Sequence, residues 1–461
     1  MIITFQEFEK HETDRAKWIG QAIAQYKRSD EYDIALEADE YEKQQNTTIM
    51  KFVKKYYDMT GDSFVDFTAT NHRLASNFFH RFIMQRNSYL LGNGVSFASK
   101  VEETNAKGET VTVDATKEAL GKQFDKTLFE AGYNALKHRV SYTFYNDGEY
   151  YVFPMTDFMP LHDAETGKIR AGMRFWSLDW NNTPITVDLY EEDGYSRYRT
   201  KPKKYGLGAL ELIEKKRPYK EIVQVSEADG EEIIGGTNYV SLPIVPCYCN
   251  SNKISPLLGI KQSIDAYDLI KSGFANDEAD VAQIYWLINH ADGMDEEDLK
   301  KFRDRLLLEH IATVDNENSE ITAHQQEVPY ASREACLNRL ENDLYRDFGA
   351  LDISKISASG KTATEIRAAY QAMDEETDDF ETQVTQYIKG ILQLIGIEDE
   401  PIYKRNRISN LNEETDMVMK IADFIDHETL LRHIPWLTPD EVPGILARTD
   451  MESQSAFKTE E

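Results

Sequence analysis

The spacing of apolar positions divides the chain into stretches of different character. Met1 to Tyr57 reads as polar helices. From Thr70 to Leu91, Leu74, Phe78, Phe82 and Tyr89 fall on related faces, which predicts one stronger helix. Leu91-Gly92-Asn93-Gly94 then stops it, because glycine accepts the left-handed backbone that helix ends often require. From Val95 to Val245 strand and turn patterns dominate, interrupted by one helix from about Thr116 to Lys137. Asn146-Asp147-Gly148 separates the alternating aromatic runs Tyr142 to Tyr145 and Tyr150 to Phe153. Glu192-Asp193-Gly194 does the same for Val187 to Tyr190 and Tyr195 to Tyr198. Both are hairpin signals, since Asp-Gly supplies positive φ at tight turns, and the stretch predicts an α+β domain.

After Pro243 and Pro246 the pattern changes. Ser255-Pro256 reads as a cap followed by a first-turn proline, and Leu257, Ile260, Ile264, Tyr267 and Phe274 then form a narrow apolar stripe that Gly273 weakens without ending. Gln283 to Ile288 reads as a strand, Asp295 as a cap, Glu296 to Leu308 as a short helix, and Ile311 to Val314 and Ile321 to Val328 as further strands. A second long helix runs from Ser332 to Phe348, with Leu337, Leu340, Leu344 and Phe348 on one face. A small strand-helix-strand unit therefore sits on a helical stalk. The Ser-containing segment Asp352 to Thr362 is a loop, and a long helix follows to Ile395. Its acidic patch, Asp374, Glu375, Glu376, Asp378 and Asp379, reads as a solvated face. Two short helices, about Glu413 to Ile425 and Pro439 to Ala447, precede a frayed tail.

Composition narrows the function. With 461 residues, 41% hydrophobic and 11% aromatic, the chain is long enough for two or more cores and too apolar for disorder. Acidic residues number 81 against 52 basic, a net charge of −29. A protein that grips DNA displaces counterions with Lys and Arg, so this one either has no nucleic-acid partner or handles DNA without holding it. Three cysteines, Cys247, Cys249 and Cys336, suggest a reducing compartment, and Cys247-Tyr248-Cys249 lacks a second pair at zinc spacing, so buried packing accounts for it better. Met1 to His11 is no signal peptide and no window reaches membrane-spanning length, so the expected place of synthesis is a cytoplasm.

Catalytic signatures are missing. Ser359-Gly360-Lys361-Thr362 ends like a phosphate loop, but Lys355 stands where its first glycine belongs. Asp292 to Asp298 lacks the alternating ligands of a calcium loop and fits helix capping better. No zinc-protease histidine pair or serine elbow is present, and nothing selects one carboxylate pair among 81 acidic residues. No enzyme, cofactor or metal is expected.

The order of the elements resembles the portal proteins of long-tailed phages (siphophages) over most of the chain. The resemblance is carried by Asn71-His72 through Asn87-Ser88-Tyr89-Leu90-Leu91-Gly92, by Leu242-Pro243-Ile244-Val245-Pro246 followed by Ser255 to Ile270 with Ile264-Asp265-Ala266-Tyr267-Asp268, by Ser359-Gly360 before a long helix, and by Thr429-Leu430-Leu431 with Ile434-Pro435-Trp436. It implies an α+β portal fold: an α/β wing over 1–254, stem helices over 255–282 and 331–350, a small α/β clip over 283–330, a tunnel loop over 351–362, a wing helix over 363–400, and a short helical crown and tail over 401–461. The stem would pack through Leu257, Ile260, Ile264, Tyr267, Leu337, Leu340, Leu344 and Phe348, although an ordinary two-helix core explains that stripe equally well. The loop would present Ser354, Lys355, Ser357, Ser359 and Lys361 to the channel. Asp295, Glu296, Glu297 and Asp298 of the clip would meet a terminase or adaptor, or simply start a helix.

The resemblance further implies a ring of about twelve subunits with heterologous contacts, at the portal vertex of the virion after assembly in the host cytoplasm. Large terminase, head–tail adaptor, major capsid and scaffold proteins and the double-stranded DNA in the channel would be its partners, with no membrane. About twelve copies would place roughly 350 negative charges around that channel, a wall that lets DNA slide instead of sticking. Lys355 and Lys361 would then touch passing DNA weakly, or merely keep a loop soluble. The competing readings are another virion component, such as a head-completion or baseplate protein, and a carboxylate-based hydrolase.

Overall fold

The computed structural model describes residues 3–57, 61–65, 70–99, 101–104, 110–177, 185–202, 207–226, 230–281, 285–289, 297, 300, 320–324, 330–354, 363–407, 418–420, 422–432, 434, 437, 442, 444–446 and 448. Four helices open the chain, α1 (Phe5–Glu9), α2 (Arg15–Tyr26), α3 (Asp30–Glu42) and α4 (Thr47–Met50), before the short pair β1 (Lys55–Tyr57) and β2 (Ser63–Val65). Helix α5 (Phe78–Leu91) leads to β3 (Val95–Phe97), β4 (Val101–Thr104) and β5 (Thr110–Val113), then to α6 (Ala115–Leu120) and α7 (Phe124–His138). Strands follow: β6 (Val140–Asn146), β7 (Glu149–Pro154), β8 (Phe158–His162), β9 (Ile169–Trp176), β10 (Thr186–Glu191), β11 (Gly194–Pro202), β12 (Leu207–Arg217), β13 (Lys220–Ser226), β14 (Gly230–Thr237) and β15 (Ile244–Tyr248). The remainder is helix α8 (Pro256–Val281), β16 (Tyr285–Asn289), β17 (Glu320–His324), α9 (Tyr330–Phe348), α10 (Ala363–Ile395), β18 (Pro401–Tyr403) and α11 (His427–Arg432). Mixed helix and antiparallel sheet make this an α+β chain. Among the described residues no helix is long and apolar enough to cross a membrane.

Two compact units divide the chain. The first takes Met1–Glu42, Phe78–Ile260 and Tyr345–Glu461, the second Lys43–Asn77 and Lys261–Leu344, so the divisions on the C-terminal side fall inside α8 and α9.

The first unit is built on a five-stranded sheet in the order β12-β11-β10-β9-β8 and a three-stranded sheet in the order β15-β6-β7. The β6–β7 turn follows its sequence signal, with Asp147 at φ 47° and Gly148 at φ 85°, and pairs Asn146 with Glu149. In the β10–β11 hairpin the loop is Glu192-Asp193, and Gly194 opens the strand at φ 138°, where a Cβ would meet the Arg217 carbonyl oxygen at 2.2 Å. The core beneath joins Trp18, Ile19, Ile23 and Tyr26 of α2 to Tyr142, Phe153, Phe158, Met173, Phe175 and Leu189 of the strands. Burying each such side chain stabilises the fold by roughly 1.5–3 kcal/mol.

Several expectations change. The helix expected over Thr70 to Leu91 begins only at Phe78; residues 71–77 are irregular, because the amides of His72, Leu74 and Ser76 are taken by side chains of α8, as described below. The helix expected from Thr116 to Lys137 is two helices, α6 and α7, broken at Gly121 with φ 82°. Met1 to Tyr57 is not helical throughout, since Lys55–Tyr57 is a strand. The stop expected at Leu91-Gly92-Asn93-Gly94 does hold, with Gly94 taking the left-handed backbone at φ 71°. Pro256 does open α8, but the buried Ser255 hydroxyl has no partner and caps nothing. The strand expected over Ile311 to Val314, and the helix over Glu296 to Leu308 apart from Glu297 and Lys300, lie outside the described residues.

A polar contact within this unit ties α3 to α7. His138 Nε2 and Lys137 Nζ each lie 2.8 Å from Asp39 Oδ1. Burial alone would raise the Asp39 carboxyl, but the hydrogen bonds and charges of His138 and Lys137 outweigh it and hold the pKa at about 2. A carboxyl depressed in the folded state contributes stability that is complete above its unfolded value and lost as pH falls through the folded one. Between about pH 4 and pH 2 the chain should lose on the order of 2 kcal/mol from this carboxylate. Denaturant melts across that range should show a shallower acid limb for Asp39→Asn; superimposable limbs would remove the assignment.

Candidate functional site

In the second unit, α8 holds an extended segment by its side chains. The buried face of α8 begins as the expected stripe, Leu257, Ile260 and Ile264, and continues at four-residue steps with the buried polar residues Asp268, Ser272 and Asn276. These accept hydrogen bonds from the backbone amides of alternate residues on the segment. Ser76 N donates to Asp268 Oδ1 at 2.8 Å, Leu74 N to Ser272 Oγ at 2.9 Å and His72 N to Asn276 Oδ1 at 2.5 Å. Two residues of extended chain advance about 6.6 Å and four residues of helix about 6 Å, so the two repeats stay in step over three rungs. Asn46 closes the end of the ladder, donating from Nδ2 to the Ser76 carbonyl at 3.1 Å and to Asp268. Burial raises the Asp268 carboxyl above its ordinary value, and the donors on Asn46 and Ser76 offset this only in part.

The same unit joins α8 to α9. Phe274 packs edge-on against Tyr330 with ring centroids 4.9 Å apart, and Arg333 pairs with Asp277 at 2.5 Å. The C-terminal part of α8 thus lies beside the N-terminal part of α9, and between them in sequence β16 pairs antiparallel with β17.

In the first unit, one cluster holds both flanks of the segment that separates α9 from α10. Gln85 of α5 clasps the Leu351 backbone from both sides, accepting from its amide and donating to its carbonyl at 2.9 Å each. Leu351, before the segment, and Tyr370 and Met373, after it, are buried together with Tyr89 of α5, and the Tyr89 and Tyr370 rings stack at 5.6 Å. Buried Arg86 lies 4.3 Å from the Phe348 ring centre, donates to the Phe348 carbonyl and pairs with Glu376 at 3.2 Å.

The acidic patch on α10 is therefore not simply solvated. Arg405 reaches Asp374 at 2.9 Å, Glu381 at 2.7 Å and also Asp378. Arg407 donates to Asp374 at 2.7 and 2.8 Å and to the Tyr89 hydroxyl at 2.8 Å, while Tyr89 donates to Asp374 at 2.6 Å. Burial would raise Asp374, but Tyr89, Arg405 and Arg407 bring its pKa below the ordinary value. Asp379 accepts from the Ser251 amide at 3.1 Å, and only Glu375 bonds no further than its own helix, to Gln371. Partners some thirty residues away in sequence left no local signal except complementary charge.

The residues singled out from the sequence are dispersed. Leu257, Ile260, Ile264, Leu344 and Phe348 are buried within the single chain, whereas Tyr267, Leu337 and Leu340 are half-buried. Ser354 is exposed and its hydroxyl donates to Asp352 at 2.6 Å; Lys355, Ser357, Ser359 and Lys361 lie outside the described residues. Glu297 is exposed, and Asp295, Glu296 and Asp298 also lie outside the described residues. Cys247 and Cys249 are buried, with thiols pushed up by burial, for Cys249 to about 12. Asp268, Ser272, Asn276, Gln85, Arg405 and Arg407 were missed. The first three were legible in principle as a four-residue polar repeat continuing an apolar stripe.

The sequence matches the family described as phage portal protein, SPP1 Gp6-like, over residues 34–455. It is similar to the portal protein of Clostridium phage phiCD119, 27% identical over 216 residues, which cover 45% of this chain and 48% of that protein. It is also similar to the portal protein of Bacillus phage SPP1, 25% identical over 335 residues, covering 71% and 62%. The chain thus spans about half to three fifths of the length of these relatives. Among solved structures, a chain in the neck of an empty GTA particle shares 11% identity at a TM-score of 0.41, over 77% of this chain and 88% of that one, a likeness too loose to carry its arrangement over.

Removing rungs of the ladder should have graded effects. Ser272→Ala removes one neutral acceptor, leaves the Leu74 amide unpaired and should cost about 1 kcal/mol, whereas Asp268→Ala strands the Ser76 amide and Asn46 and should cost about 2–4 kcal/mol. Hydrogen exchange of a peptide covering residues 72–76 should accelerate in both; unchanged protection in Asp268→Ala would mean that the side-chain rungs do not hold the segment.

Proposed function

The chain belongs to the SPP1 Gp6-like family of phage portal proteins, and we propose that it forms the ring-shaped channel at one capsid vertex through which double-stranded DNA is packaged and later ejected. The observation that carries this reading is the family match over residues 34–455, nearly the whole chain. The family is structural, which favours a virion part over an enzyme. A long-helix pair flanking a small strand unit, with a short segment leading into a third long helix, supports assigning 255–282 and 331–350 to the stem, 283–330 to the clip and 351–362 to the tunnel loop. Residues 363–400 would then continue the wing and 401–461 form the crown and tail.

In such a ring of about twelve copies the charge of −29 per chain repels phosphates, so DNA passes an acidic wall without a deep binding minimum. Lys355 and Lys361 would supply brief, salt-screened contacts. Both flanks of their segment are held by the Tyr89 cluster, so a push on the loop would reach α5 and α10 together. The partners follow from this role: copies of itself, a large terminase and then a head–tail adaptor at the clip acids Asp295, Glu296, Glu297 and Asp298, major capsid and scaffold proteins around the wing, and DNA within. Assembly would take place in the host cytoplasm.

Two measurements test the reading. Negative-stain microscopy or mass photometry of the purified chain, with scaffold protein added where needed, should show rings of about twelve copies with a central hole; a monomer or dimer under every assembly condition would refute it. The double variant Lys355→Glu, Lys361→Glu should assemble normally yet package DNA poorly, and wild-type packaging would remove the proposed loop–DNA contact.

A further inference from the structure

A cavity of about 500 Å³ in the first unit, sharing no residue with the α8 ladder or the α10 patch, is lined by Tyr26, Tyr142, Met155, Met159 and Tyr248 and by three basic side chains, Arg139, His162 and Lys253. That volume suits a small molecule, and apolar walls with a few converging polar groups are the usual make-up of a ligand site.

The two cations stand on unusual backbone. Among the described residues only four non-glycine residues have positive φ, and two of them are Arg139 (φ 87°) and Lys253 (φ 56°). Arg139 ends α7, where the chain turns into β6, and Lys253 closes the turn whose amide donates to the Asn250 carbonyl at 3.1 Å. Glycine would take either conformation without the steric cost that a Cβ brings, so local folding alone favours glycine at both. Strain of this kind concentrates where the side chain has a use.

Neither cation is fully engaged. Arg139 gives Nη1 to Glu31 at 3.1 Å, while its Nε is buried with no partner. Lys253 lies 4.1 Å from the centre of the Tyr248 ring, and no carboxylate among the described residues pairs with it. Asp163, the other acid of the cavity, is taken by the Gln6 amide at 2.9 Å and by Thr166 of its own turn. Burial lowers the His162 pKa; its bond to the Gly167 carbonyl raises it, and Lys253 and Arg139 lower it further, the sign of a positive field in the cavity.

We propose that this cavity binds a small organic anion, with a flat apolar body against the tyrosines and methionines and a phosphate or carboxylate group held by Arg139 and Lys253. The apolar walls exclude water and so strengthen the charged contacts.

Calorimetric titration of the full-length chain with phenyl phosphate and with benzoate tests this, with inorganic phosphate and phenol as comparators. At least one aromatic anion should bind at least about tenfold more tightly than either comparator, and which of the two binds better identifies the acid group. Lys253→Gly should lose at least about tenfold in affinity with the melting temperature kept or raised, because the glycine relieves strain while removing the charge. Arg139→Gly should lose affinity as well; because it also breaks the pair with Glu31, Lys253→Gly is the deciding variant. No saturable binding of either anion, equal binding of phenol, or unchanged affinity in Lys253→Gly would each overturn the proposal.

Discussion

The first unit depends on α10 having two opposite faces and both being satisfied. Thirty-three residues of helix present Phe380, Val384, Tyr387, Ile388 and Ile391 to the interior, where Tyr387 donates to Thr143 of β6 at 2.8 Å and Gly390 lets the helix approach Val245 of β15, a Cβ there falling 2.6 Å from Val245 Cγ1. Between residues 374 and 381 the same helix carries six carboxylates, Asp374, Glu375, Glu376, Asp378, Asp379 and Glu381. Left to solvent they would repel one another along the helix. Instead Arg86, Arg405, Arg407 and the Ser251 amide neutralise or bond to most of them, and these four groups come from three different parts of the chain. Docking α10 therefore fixes α5, the turn before α8 and the chain after β18 in one step.

How much of this was legible in the sequence depended on range. The β6–β7 hairpin was legible because its cause is local: Asp147 and Gly148 tolerate the backbone that the turn needs. The long helix α10 was legible because its apolar period runs unbroken for many turns. The start of α5 was not. Leu74 and Phe78 have helical spacing, but whether residues 72–76 coil depends on where their amides find acceptors, and Asp268, Ser272 and Asn276 lie some 200 residues further on. Tertiary partners overrode the local pattern.

The candidate site was legible as an outline and not in its chemistry. Two long helices flanking a small strand unit and a third long helix could be placed from spacing, and α8, α9 and α10 stand in that order. What holds the loop flanks, Gln85 on Leu351 and Tyr89 on Tyr370, could not, because a glutamine or tyrosine on a helix face says nothing about which distant backbone it meets. The acidic patch was misread for the same reason: carboxylates show their charge in a sequence, but not their partners.

The ladder on α8 distributes sequence information unevenly. In a β-sheet both strands contribute backbone groups, so almost any side chain keeps the pairing. Here one side contributes only backbone groups, whose amides every residue but proline supplies, while the other contributes particular polar side chains at 268, 272 and 276. Drift at 72, 74 and 76 should leave the attachment intact as long as proline is avoided, whereas drift on the helix would erase it. Relatives that keep this attachment would be recognised by a polar triplet at four-residue steps in the helix, opposite a segment whose own letters need not agree.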